Sequence, residues 1–174
     1  MENWQSGNKA AFEEFYRSYH GMVFKCAYFL CSSRVEAEDI LQQVFLAAWR
    51  FRRSFDPAKA NAATWLHKIT VNECSKRRKA NVIFDSLTDL DFPDIVSRQP
   101  EEILVTRQEY EELLKALNNM EEKQRVVVVL RYMNNLSYGE IAEVLGIPLG
   151  TVKSRLNLAV KNLRESITVG SKEP

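Results

Sequence analysis

Short polar and basic side chains at helical spacing carry the most specific chemistry in this chain. At about 100 degrees per residue, Ser154, Asn157, Leu158 and Lys161 share one side of a helix. Lys153 and Arg155 flank that side, and Val152, Leu156, Ala159, Val160 and Leu163 lie opposite. Hydroxyl, amide and ammonium groups in this setting suit base edges and phosphates in a major groove. The plainer alternative is the solvated face of a core helix. A second candidate is the run Ser75-Lys76-Arg77-Arg78-Lys79, which Lys68, Asn72 and Lys76 approach at i, i+4 and i+8. These residues could meet phosphates, with affinity that falls as salt rises. They could equally complement the dipole at a helix C-terminus. A third face, Glu36, Asp39, Gln42 and Gln43, with Trp49 and Arg50 near its end, reads by itself as solvated surface.

Enzyme chemistry finds little support. There is no P-loop glycine pattern, no G-x-S-x-G and no H-E-x-x-H. His20 and His67 are isolated, and Cys26 and Cys31 do not have a C-x-x-C spacing. With Cys74 they make three cysteines, read as reduced, partly buried thiols rather than a disulfide framework. No metal, cofactor or small-molecule substrate is expected.

The elements that must position these residues are helices. Phe12, Phe15, Tyr16, Tyr19, Met22, Val23, Cys26 and Leu30 recur three and four apart, and Cys31-Ser32-Ser33 breaks the pattern. Ser33-Arg34-Val35-Glu36 fits a capping box that opens a second helix, with Ile40, Leu41, Val44, Phe45, Ala48 and Phe51 inward. Asp56-Pro57 predicts a turn, and a third helix follows from about Ala62 to Lys79, with Trp65, Leu66, Ile69 and Cys74 inward. Periodicity then lapses over 81–100, which reads as a linker. Helix resumes from Glu101 to about Asn118, with Leu104, Leu113, Leu114 and Leu117 inward. Val126-Val127-Val128-Val129 has strand propensity, but no partner strand is evident, so Glu121 to Met133 is read as buried helix. Ser137-Tyr138-Gly139-Glu140 is a second capping box, Gly146 stops the short helix it opens, and Ile147-Pro148 leads into the long one. Helix, glycine turn, helix is the helix-turn-helix pattern. The expected fold is therefore all-α, with two helical domains at 8–80 and 101–168 on either side of the linker.

Length and charge agree with two modules. The chain has 174 residues, 45% apolar and 27% charged, which excludes wholesale disorder. Its apolar runs, such as Val126 to Leu130, are far short of the roughly 20 residues that span a bilayer. Met1 to Lys9 is polar and lacks a signal-peptide pattern, so the expected location is the cytoplasm. The net charge of +1 hides a segregation. Residues 1–80 carry 13 basic and 8 acidic side chains, 81–122 carry 3 and 11, and 123–174 carry 8 and 4. Two basic blocks around an acidic stretch suit two modules that meet a polyanion.

Four stretches, in order and spacing, resemble the extracytoplasmic-function group of bacterial RNA polymerase sigma factors. They are Ala37-Glu38-Asp39-Ile40-Leu41-Gln42-Gln43-Val44-Phe45-Leu46-Ala47-Ala48-Trp49, Thr64-Trp65-Leu66-His67-Lys68-Ile69, Leu136-Ser137-Tyr138-Gly139-Glu140-Ile141-Ala142 and Gly150-Thr151-Val152-Lys153-Ser154-Arg155-Leu156. The resemblance implies a sigma-two and a sigma-four domain, and a role in binding core RNA polymerase, recognising promoters and helping to open them. It implies that Asp39, Gln42 and Gln43 dock on the clamp coiled coil of the polymerase's largest subunit. It implies that the loop from Ser54 to Asn61 captures an unstacked base of the minus-ten element, and that Lys68, Asn72, Lys76, Arg77 and Arg78 line the helix beside it. Thr151, Lys153, Ser154, Arg155, Asn157 and Lys161 are then expected to face the minus-thirty-five element, with Arg155 mainly on phosphate. The linker would thread the active-site cleft, and an anti-sigma factor is a further implied partner. Gln43 stands where the family often has glutamate, Ala62-Ala63 replaces a commoner aromatic-basic pair, and Glu121-Glu122 stands where proline is usual. The rival reading is a helix-turn-helix regulator with a helical sensor domain, which would bind DNA without the polymerase.

Overall fold

The computed structural model describes residues 4–59, 61–81 and 107–170. They fall into two compact units, drawn from residues 1–99 and 100–174. Every regular element among the described residues is helical.

The first unit packs three helices, α1 (Lys9–Cys31), α2 (Arg34–Arg50) and α3 (Ala62–Asn81), each against the other two. Asn8 opens α1, its side-chain oxygen accepting from the Ala10 and Ala11 N–H groups at 3.0 and 3.3 Å. Ser32 closes it with a left-handed φ of 55° and donates its N–H to Tyr28 O at 2.6 Å. The Ser33 hydroxyl then accepts from Glu36 N–H at 3.3 Å and opens α2. With only Ser32 and Ser33 between them, α2 has to turn back along α1. Val23, Cys26, Ala27 and Leu30 of α1 and Ala37, Ile40, Val44 and Ala48 of α2 are buried, and Leu66, Val71 and Cys74 of α3 complete the core. Burying each large aliphatic side chain contributes about 1.5–3 kcal/mol.

Three expectations change here. Phe51 was expected inward with Ala48, but it is 54% exposed. The helix ends at Arg50, and Phe51 takes the cap conformation (φ −97°, ψ 13°), which rotates it off the apolar stripe. Tyr16 also lies at the solvent edge of its face. Conversely, Trp4, within the stretch read only as polar, is buried with its ring stacked on Phe15 at 4.3 Å. His67 is buried as well.

The second unit holds α4 (Arg107–Asn118), α5 (Glu122–Val128) continued by a π turn over Val129–Met133, α6 (Tyr138–Leu145) and α7 (Leu149–Gly170). The valine run is helical, as read. It is buried throughout, and burial on all sides outweighs β propensity. The π turn bonds Asn134 N–H to Val129 O at 3.1 Å. Buried Arg125 donates Nη2 to Asn118 O at 2.8 Å and Met120 O at 3.0 Å, satisfying carbonyls at the end of α4. The expected linker over 81–100 lies outside the described residues except for Asn81. So do 101–106, including Leu104, of the helix expected from Glu101.

Candidate nucleic-acid interface

The helix-turn-helix is built from its caps. The Ser137 hydroxyl accepts from Glu140 N–H at 3.2 Å, and Glu140 Oε2 accepts from Ser137 N–H at 2.8 Å, so the capping box is complete. At the other end of α6, Gly146 takes φ 63°, a region that costs glycine nothing. Its N–H bonds Glu143 O and the Ile147 N–H bonds Ala142 O, the paired bonds that end a helix sharply. Two residues later α7 begins. Val152, Leu156 and Ala159 are buried, with Val160 and Leu163 half-buried beside them. Lys153, Ser154, Asn157 and Lys161 consequently stand exposed on the far side, while Thr151 and Arg155 are half-buried. The Ser154 hydroxyl donates to Thr151 O at 3.0 Å, which leaves its oxygen lone pairs outward. Lys161 is only loosely paired with Glu165, at 3.9 Å. Leu158 is 48% exposed among these polar groups.

In the first unit the expected residues divide differently. Gln42 and Gln43 are exposed, and Gln42 borders a groove of about 490 Å³ lined by Lys9, Phe12, Phe45, Leu46 and Trp49. Asp39 is not free of its surroundings. Its Oδ2 accepts from Arg77 Nη2 at 2.7 Å, so α2 and α3 are joined by the very groups expected to serve two different partners. Arg78 donates to Leu30 O at 3.1 Å and helps to satisfy the end of α1. Lys76 pairs with Glu73 at 2.7 Å, with its ammonium still largely exposed. Lys68 and Asn72 are exposed on the same helix. Between α2 and α3 lies a second groove of about 360 Å³, lined by Ala47, Phe51, Ile69, Asn72, Glu73, Ser75 and Lys76. An exposed aromatic ring beside an amide and an ammonium can stack one base and hold its phosphate. Phe51 is the residue that sequence reasoning missed here, because its position continues the inward pattern one step past the helix end.

Of the expected loop, both named ends do local structural work. The Ser54 hydroxyl donates to Phe51 O at 2.7 Å. Asn61 Oδ1 accepts from Thr64 N–H at 2.7 Å and caps α3. Asp56 shapes the turn between them, accepting from Ala58 N–H at 3.0 Å.

The three thiols lie close enough to influence one another. Burial raises the Cys26 thiol pKa far above its ordinary range, with Cys31 adding to the rise. Cys74 is raised by its hydrogen bond with Cys31 and by burial, against the lowering effect of Arg78. Among the described residues no cluster could hold a metal ion, and no helix is long and apolar enough to cross a membrane.

Comparison with known proteins supplies the identification. Residues 15–82 match the family Sigma-70 region 2, and residues 110–163 match Sigma-70, region 4. An ECF RNA polymerase sigma factor, SigE of Mycolicibacterium smegmatis, is 31% identical over 97% of this chain and 67% of its own length. This chain belongs to the ECF group of RNA polymerase sigma factors. SigW of Bacillus subtilis is 29% identical to this sigma factor, over 94% of this chain and 92% of its own. Among solved structures, the sigma factor RpoE of Bartonella quintana, crystallised with the anti-sigma factor NepR, superimposes with a TM-score of 0.71. That match is 26% identical and covers 91% of this chain and 98% of the other. CnrH in complex with the cytosolic domain of CnrY shares the fold, at a TM-score of 0.70 and 23% identity, covering 97% of this chain and 94% of that one. As a sigma factor the protein serves transcription initiation, and the helical-sensor regulator is not favoured.

Proposed function

We propose that the protein divides promoter recognition between its units, 8–80 acting as the sigma-two domain and 101–168 as the sigma-four domain. The observation that carries this reading is α7, which buries Val152, Leu156 and Ala159 and exposes Lys153, Ser154, Asn157 and Lys161. Lys153, Ser154 and Asn157 read the minus-thirty-five element in the major groove, since helix-turn-helix proteins make base contacts from the N-terminal part of the second helix. Thr151, Arg155 and Lys161 hold the backbone. Arg155 is half-buried, which suits a phosphate contact better than a base contact.

In the sigma-two domain, Gln42, Gln43 and Asp39 dock on the clamp of the polymerase beside the apolar groove. The loop from Ser54 to Asn61 and the Phe51–Asn72–Lys76 groove trap an unstacked base of the minus-ten element, whose unstacking costs a few kcal/mol. Lys68 and Lys76 are the phosphate contacts, whereas Arg77 and Arg78 act chiefly by holding α3 to its neighbours. The linker, 81–100, passes through the polymerase cleft. The factor works in the cytoplasm, catalyses no reaction of its own, and is restrained by an anti-sigma partner of the kind seen on RpoE of Bartonella quintana.

Gel shift on duplex promoter DNA, with and without core polymerase, tests the whole reading. Specific retention is expected only with core, and equal specific binding without it would return the regulator reading. For α7, alanine at Ser154 or Lys153 is assayed against every single-base variant of the upstream element. Each good base contact is worth about 1–3 kcal/mol, so preference should relax at one base pair. A uniform loss with unaltered preference would leave recognition by DNA shape instead.

A further inference from the structure

The segment ahead of α1 makes contacts that neither promoter unit nor polymerase docking has used. The Gln5 side-chain amide donates through Nε2 to Phe55 O at 2.6 Å and to Arg52 O at 3.2 Å. These two carbonyls bracket the 3-10 turn Arg52–Ser54, which leaves the end of α2 and enters the loop to Asn61. Among the described residues, the turn's other side-chain hydrogen bonds are local, from Ser54 to Phe51 O and from Arg52 Nη1 to Trp49 O at 2.8 Å.

Gln5 is itself held in place. Trp4 is 3% exposed, with its ring stacked on Phe15 and centred 5.8 Å from Phe55 and 6.1 Å from Trp65. Gly7 donates its N–H to Trp4 O at 3.1 Å and has φ 93°, a conformation that favours glycine. A Cβ there would lie 3.5 Å from the Arg52 guanidinium, which rests over the Trp49 ring at 4.4 Å. The segment therefore turns tightly across the start of the loop and presents one fixed amide to it.

We propose that Gln5 is a positioning residue for minus-ten recognition: its amide fixes the backbone from Arg52 to Phe55, and through it the loop that shapes the pocket for the unstacked base. This rests on the reading that the loop and the Phe51 groove hold that base. Gln5 touches no nucleotide in this scheme. Without its two hydrogen bonds the loop samples several conformations, the pocket accepts more than one base, and discrimination falls while overall fold and docking stay.

The test uses full-length protein with core polymerase in run-off transcription, on promoters varied one base at a time through both elements. Gln5→Ala removes both bonds. Gln5→Glu keeps the shape but offers no N–H, so it separates donation from packing. Both variants should lose about tenfold in discrimination at one minus-ten position, as two modest hydrogen bonds allow. Preference through the minus-thirty-five element and affinity for core should stay within about twofold. A loop variant, with 54–61 exchanged for the same segment of SigW, runs in parallel. If the exchange alters minus-ten preference and the Gln5 variants do not, the positioning role is overturned and the pocket reading stands. If the exchange leaves preference unaltered too, the pocket reading itself fails. A uniform loss of activity on all promoters by Gln5→Ala, with unaltered preference, reduces Gln5 to a structural residue and also overturns the proposal.

Discussion

The Asp39–Arg77 ion pair permits a quantitative test of which partner Asp39 serves. The pair is 2.7 Å long, and its side chains are 48% and 36% exposed. Two unit charges 4 Å apart near a protein surface attract by about 4 kcal/mol. Solvation and the entropy of holding both side chains reduce the net worth of such a pair to about 0.2–1 kcal/mol. The short charge-assisted geometry puts this one near the upper end. Asp39→Ala, Arg77→Ala and the double variant, unfolded in urea, should therefore show a coupling of about 0.5–1 kcal/mol. Affinity for core polymerase is the discriminating measurement. A carboxylate that accepts a hydrogen bond from the clamp is worth about 1.5–3 kcal/mol, so Asp39→Ala should weaken binding roughly tenfold to hundredfold. Arg77→Ala only frees the carboxylate, and its effect should not exceed about fivefold, the equivalent of 1 kcal/mol. If the two single variants and the double variant all weaken core binding equally, Asp39 acts only by holding Arg77, and its assignment to the docking surface is refuted.

Three further outcomes follow from caps and thiols. Ser137→Ala should lower the stability of the second unit by about 1 kcal/mol through loss of the capping box, and Gly146→Ala by about the same through its left-handed φ; dependence on the upstream element should weaken in both if α6 sets the pose of α7, as read by urea unfolding and run-off transcription. Cys31, half-buried, should react with a maleimide well before Cys26, whose thiol burial keeps protonated, and Cys74, whose thiol the hydrogen bond with Cys31 and burial keep protonated. Because those two pKa values are raised in the folded protein, unfolding releases protons once the pH passes the ordinary thiol range near 8.5, so stability should fall above that pH. Alanine at both positions should remove the alkaline decline, and its persistence would refute the attribution.

The elements were legible because helix signals are local. Ser33, Asp56-Pro57, Ser137-Tyr138-Gly139-Glu140 and Gly146 each act within a turn of themselves, and the structure uses every one of them near the place expected. The face of α7 followed from the same locality, since a helix with Val152, Leu156 and Ala159 inward has no choice about where Ser154 and Asn157 point. Tertiary structure decided what depends on a neighbour distant in sequence. Asp39 meets Arg77 across two helices, Arg78 meets Leu30, and Gln5 meets Phe55, each pair separated by at least 38 residues. Phe51 turned outward because the helix stopped one residue sooner than its apolar pattern, and Trp4 turned inward because a pocket formed by Phe15, Phe55 and Trp65 exists only after folding. Periodicity reports the side of a helix on which a residue lies, whereas its partner is chosen by packing, and packing is a property of the assembled chain.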